Sequence, residues 1–152
     1  MIKLTCTNVL EYSSNHQSRI ANAPTLLPLL LQQGVTQYTR LALTTRLREL
    51  VILYSSLRFE SSYEHQHHIT ISQSYVTDAQ RAEIEKTAGD STYFLQGKTE
   101  PEVFSPQELA MLKFLEATIN SPTVDDAVFR EAKQYLSDRQ MVEVVLLQVC
   151  WS

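Results

Sequence analysis

Glycine is scarce in this chain: Gly34, Gly89 and Gly97 are the only three among 152 residues. A loop that cradles phosphate needs several glycines close together, so neither a P-loop nor a dinucleotide fingerprint can be written with these. Nucleotide cofactors are disfavoured, and any chemistry must come from side chains or a metal. Cysteine is scarce too. Cys6 and Cys150 stand near opposite ends and make no CxxC or CxxH pattern, so the chain encodes no zinc knuckle or thiol redox pair. Basic clusters are missing. Net charge is −4, and no Lys/Arg stripe marks a nucleic-acid surface. Long apolar segments are missing as well. "TLLPLLL" and "VEVVLLQVCW" are too short or too interrupted to span a bilayer. The opening "MIKLTCTNVLEYSSN" lacks the apolar stretch and cleavage site of a signal peptide. The expectation is a cytoplasmic protein with no membrane and no nucleic-acid partner.

What is present is helical. Hydrophobic residues make up 43% of the chain and charged residues 20%, ordinary values for one domain with a real core. Helix starts recur. "SPQE" at Ser105–Glu108 combines a capping serine, a proline at the first helical position and a reciprocal glutamate. "TDAQ" from Thr77, "SDRQ" from Ser137 and "SSYE" from Ser61 read as further capping boxes. Few segments alternate with period two. The fold class expected is all-α, a single-domain bundle of six to seven helices, with about the first 20 residues an extension and a core over about 23–152. Helices are expected over 24–33 (ended by Gly34), 44–59, 62–74, 78–88, 106–120, 124–136 and 138–150. A turn-rich loop, "GDSTYFLQGKTEPEVF", falls between the fourth and fifth.

Two neighbouring helices carry the candidate site. On the helix "RLRELVILYSSLRF", Leu47, Leu50, Val51, Tyr54 and Leu57 form one broad apolar stripe, with Ile52 and Leu53 outside it, flanking the side that carries Glu49. The helix is apolar nearly all round, so Glu49 is expected to point between packed elements. A carboxylate there is costly unless paired, and burial raises its pKa, the profile of a functional acid or base. The plain alternative is an ion pair with Arg46 or Arg48, or a half-exposed glutamate favoured by the helix dipole.

On the next helix, Glu64, His68, Ile71 and Tyr75 share a narrow arc. Of the three histidines in "HQHH", His68 alone shares its face with large apolar residues and a carboxylate. An imidazole held against a glutamate is suited to moving protons near neutral pH. The plain alternative is a core histidine bonded to Glu64, itself the capping-box partner of Ser61. The three histidines spread round the helix without HExxH or another ligand spacing, so no metal site is expected. His65 and His67 read as surface or entrance residues, and His16 has no evident role.

"LRELVILYSS…YEHQHH" resembles the carboxymuconolactone decarboxylase-like family, which shares its fold with the alkylhydroperoxidase-D-like proteins. Members carry an R-E-L helix followed by Y-E-W-x-x-H. Arg48, Glu49 and Leu50 match the first part; Tyr63, Glu64 and His68 match the second. "APTLLPLL", "VTDAQRAEI" and "LSDRQMVEVVLL" resemble further family segments, so the likeness runs from about Ala23 through most of the chain. His65 stands where the family has tryptophan. The peroxidase branch's CxxC falls at Ser61 and Glu64, and without a thiol there is no thiolate attack on a peroxide.

The resemblance implies a cofactor-independent lyase or isomerase for a small carboxylated or enolisable molecule, such as a lactone acid or a polyketide-like intermediate. His68 delivers or removes the proton, with Glu49 tuning or exchanging protons with it. Glu64 shares the catalytic set. Tyr63, His65 and Arg48 line the substrate, Tyr63 as a donor to a developing oxyanion and Arg48 as attraction for a carboxylate. It also implies a homo-oligomer, trimer or hexamer, with the apolar last helix, Val142 to Trp151, suited to the interface. A non-catalytic helical oligomer that binds a small ligand or a protein is the main alternative, and a peroxidase of the same fold a lesser one.

Overall fold

The computed structural model describes residues 22 and 24–150. Cys6, His16, Ala23, Trp151 and the expected N-terminal extension lie outside the described residues. The described chain is all-helical. Seven helices occur in it, α1 (Leu27–Thr39), α2 (Thr45–Arg58), α3 (Ser62–Ser72), α4 (Asp78–Glu85), α5 (Pro106–Asn120), α6 (Asp126–Tyr135) and α7 (Asp138–Cys150). None is long and apolar enough to cross a membrane. Contacts divide the chain into two units, one ending at Leu41 and one beginning at Ala42.

The first unit contains α1. The helix does not stop at Gly34 but continues to Thr39. No heavy atom lies within 4 Å of a Cβ built on Gly34. The glycine sits inside the helix at the usual cost of about 1 kcal/mol and has no turn to make. Thr36 and Thr39 donate their hydroxyls back to Gln32 O and Val35 O, at 2.8 and 2.7 Å.

The second unit is built round α2, which packs against α3, α4, α5 and α7. Every residue from 47 to 56 is buried. Thr44 starts the helix, its side chain accepting from Leu47 N. The boxes at Thr77 and Ser105 are complete. Ser137 and Gln140 also exchange hydrogen bonds, Gln140 N donating to Ser137 Oγ and Ser137 N to Gln140 Oε1. Ser61 differs. With ψ near 75° it caps α3 without a side-chain hydrogen bond. It follows Glu60 at φ 56° and lacks the extended backbone of the caps at Thr77 and Ser105 (ψ 159° and 160°), so the expected fourth box does not form.

The other helices end within a few residues of expectation, and α5 and α7 match it. Three buried carboxylates tie segments together. Glu143 accepts from Ala42 N and Leu43 N and pairs with Arg139. Glu108 pairs with Arg46 and accepts from Gln80 and Ser105 N. Glu116 holds the segment between α4 and α5, accepting from Phe94 N, Leu95 N and Tyr54 Oη.

Candidate acid–base site

Glu49 lies in the second turn of α2 and His68 in the middle of α3, helices that pack directly on one another. Both side chains are 0% exposed. His68 Nδ1 is 2.7 Å from Glu49 Oε2. Arg48, whose side chain is also nearly enclosed, donates to the other oxygen, Oε1, from Nε at 3.1 Å and Nη2 at 2.9 Å. Glu49 is thus an acceptor on both oxygens, which assigns the hydrogen of this contact to His68 Nδ1 and leaves Nε2 as the ring's second exchange atom. An ion pair sealed this way is tolerable because each carboxylate oxygen keeps a hydrogen-bond donor.

Arg48 is turned into the bundle rather than out to solvent, and its guanidinium sits on Glu49. Arg46, the other arginine considered for Glu49, is drawn to Glu108 and to Tyr75 O instead.

The remaining sequence-predicted residues, Tyr63, Glu64 and His65, stand in the first turns of α3. Glu64 is half-buried in the first turn of α3, where the helix dipole favours its charge. Tyr63 is 53% exposed, and its ring stacks on His67, centroids 6.1 Å apart and planes 14° from parallel. His65 points away from His68 into a different network. Its Nε2 is 2.6 Å from Glu85 Oε1 and its Nδ1 is 3.1 Å from Ser56 Oγ, which also donates to Leu53 O at 3.0 Å. His65 therefore links α3 to α2 and to the end of α4. Ser56 is fully enclosed, so this serine–histidine–glutamate chain has no exposed nucleophile.

His67, expected at the surface or entrance, is half-buried. Its ring meets that of His68 edge-on, centroids 5.9 Å apart at 74°. It also lines a shallow open depression together with Ser62, Tyr63, Gln66 and Thr70. Burial, and secondarily the charge of His68, push its pKa down to about 4. The signal that marks it in the sequence is the four-residue spacing from Tyr63, which stacks two rings on one face, together with adjacency to His68.

Among the described residues no group of three or more His, Cys, Asp or Glu side chains is placed to share a metal ion. Compared with family models, curated proteins and solved structures, the chain matches none.

Proposed function

We propose that this protein is a cofactor-independent lyase or isomerase that moves protons on a small carboxylated or enolisable substrate. The observation that carries the reading is the sealed 2.7 Å contact of His68 with Glu49, whose second oxygen is held by Arg48. Three ionisable side chains on two packed helices form one hydrogen-bonded set away from water, where electrostatic interactions are strong. Loss of carbon dioxide and a proton shift share a carbanion or enolate that must be protonated, and an imidazole braced by a carboxylate suits that step. The order and spacing of Arg48, Glu49, Tyr63, Glu64 and His68, which resemble the carboxymuconolactone decarboxylase-like pattern, support the same class. In this reading Glu64 and Tyr63 flank the entry side of the site. His65 acts at a distance by fixing α3, and Arg48 positions Glu49.

The test is solvent-deuterium incorporation and carbon dioxide release with a carboxylated butenolide. Glu49→Gln and His68→Gln are each expected to lower the rate about 10²- to 10⁴-fold with the fold intact by circular dichroism. Wild-type rates in both folded variants would remove the reading.

A helical oligomer is the companion proposal. Val142, Val145, Leu146 and Val149 are all exposed on one face of α7, at spacings of three and four residues. The one charge at its N-terminal edge, Arg139, is paired with Glu143, so the expected occupant is another molecule of this chain in the cytoplasm. Light scattering that finds a monomer throughout the micromolar range counts against it.

A further inference from the structure

We propose that α3 is a lid over the Glu49–His68 pair and that His65 is its latch, holding the lid shut while the imidazole is charged and loosening it when the ring is neutral. The use of the lid, to admit a substrate, rests on the acid–base reading above; the latch stands on its own geometry. Glu49 and His68 are 0% exposed, so a substrate reaches them only if something covering them moves. α3 carries His68 and packs chiefly on α2. Its fully buried residues are His65, His68 and Ser72, while Ile69 and Ile71 are half-buried. A helix docked through imidazoles and a hydroxyl gains little from apolar burial, and it lifts at lower cost than one docked through leucines. Elements of this kind serve as lids over enclosed sites.

The two ends of α3 are held differently. Past its C-terminus the chain is anchored: Val76 is buried, Arg46 Nη1 donates to Tyr75 O at 2.9 Å, and Arg81 donates to Val76 O. At the N-terminus Ser61 gives no side-chain cap, and Glu60 takes φ 56°, unusual for a residue other than glycine. His65, in the first turn, ties this end to two neighbouring helices. Ser56 has one hydroxyl hydrogen and gives it to Leu53 O at 3.0 Å. It can then only accept from His65 Nδ1, 3.1 Å away. Glu85 Oε1, 2.6 Å from Nε2, is an acceptor too. Both ring nitrogens therefore carry hydrogen, and the imidazolium makes an ion pair with Glu85. Once neutral, the ring keeps its hydrogen on Nε2, toward the carboxylate. The ion pair is then gone, and Ser56 must swing its hydrogen away from Leu53 O to satisfy Nδ1. The latch is weaker in that state.

The groups around the ring are few. From α2 it is met by the Ser56 hydroxyl. The charges of that helix are engaged elsewhere, Arg46 with Glu108, Arg48 and Glu49 with each other, and Arg58 toward Asn120. From α4 it is met by Glu85, while Arg81 pairs with Asp78 and Lys86 with Glu83. On α3 itself the ionisable neighbours are Glu64, His67 and His68. His67, with its pKa pushed down to about 4, is neutral on both sides of the transition.

The test is amide hydrogen exchange of the intact chain by mass spectrometry, with rates corrected for the intrinsic effect of pH. Between about pH 5.5 and about pH 8, where imidazoles change charge, opening of α3 should rise about fivefold while α5 holds steady. His65→Gln should show the higher opening at both pH values. Glu85→Gln changes a half-exposed residue, so it should fold, and it should lose most of the step. The step should persist in His68→Gln. At a single pH of about 7.5, diethyl pyrocarbonate should modify His68 about fivefold faster in His65→Gln than in wild type. A flat response in wild type, a step that survives both His65→Gln and Glu85→Gln, or a step lost only in His68→Gln overturns the latch. An unchanged rate of His68 modification overturns the lid. None of these readouts uses turnover, so their failure leaves the acid–base reading standing. Wild-type turnover in Glu49→Gln and His68→Gln, with the step intact, removes that reading and leaves the latch.

Discussion

Two buried carboxylates, Glu49 on α2 and Glu116 on α5, are both 0% exposed and yet are built differently. Glu116 accepts from two backbone amides and a phenol: Phe94 N at 3.2 Å, Leu95 N at 2.6 Å and Tyr54 Oη at 2.9 Å. None of these donors changes protonation near neutral pH. Burial first, and then the charge of Glu116, hold the Tyr54 hydroxyl well above the usual phenol range. Glu116 is accordingly a staple that gives a loop of turns a fixed path over the core. Glu49 is met by a guanidinium and an imidazole, and the imidazole can take or release a proton. Burial alone therefore does not mark a functional carboxylate. The titration range of its donors is what distinguishes Glu49 from the staple at Glu116.

The largest effect that sharpens this contrast is on stability at Glu116. Glu116→Leu leaves a hydroxyl and two amides buried without their acceptor, and is expected to cost about 4 kcal/mol in urea unfolding. Proton exchange per folded molecule should stay at the wild-type rate. An equally large loss of exchange in a folded variant would break the distinction.

A smaller effect is expected at the other carboxylate. Glu49→Gln removes the anion from Arg48 and His68 at once, for about 3 kcal/mol. A double-mutant cycle with His68→Gln should return a coupling of about 1–3 kcal/mol. A coupling near zero would mean that the two side chains are neighbours without being a functional unit.

The smallest effect is the pH dependence of His67. Its folded pKa of about 4 lies below the ordinary 6.5, so the unfolded chain binds the extra proton more readily. The neutral ring's contribution is fully present above pH 6.5 and is lost as pH falls toward 4. Because the ring is partly exposed, solvent screening limits the change to about 1 kcal/mol or less. Comparing denaturation midpoints at pH 7 and pH 5 in wild type and His67→Gln checks it, and the variant should lose this part of the slope. Glu116 acts with the opposite sign. Burial raises its pKa, so its own contribution is present below the ordinary carboxylate range and is lost as pH rises through the raised value.

The limits of sequence reading are visible at particular residues. Thr77 and Ser105 announced their boxes because the cap, the third position and the following helix are local. Ser61 carried the same letters and made no side-chain cap, because its ψ near 75° departs from the extended backbone of the other two caps. Gly34 read as a stop and proved to be interior, since a glycine without a positive φ is only a weak helix residue. Glu49 and His68 could be placed on inward faces from periodicity. His65 could not be assigned to Ser56 and Glu85, which lie 9 and 20 residues away on other helices.

The order of residues by itself determined that the described chain is helical, where most helices begin, and that one carboxylate and one imidazole turn inward from successive helices. Those properties follow from apolar spacing and capping chemistry over a few residues. Only the tertiary structure decided that His68 meets Glu49, on another helix. It alone turned Arg48 inward and set His67 between the sealed pair and the surface. Such choices depend on how helices dock, which fixes distances of a few ångströms between side chains that sequence separation leaves open.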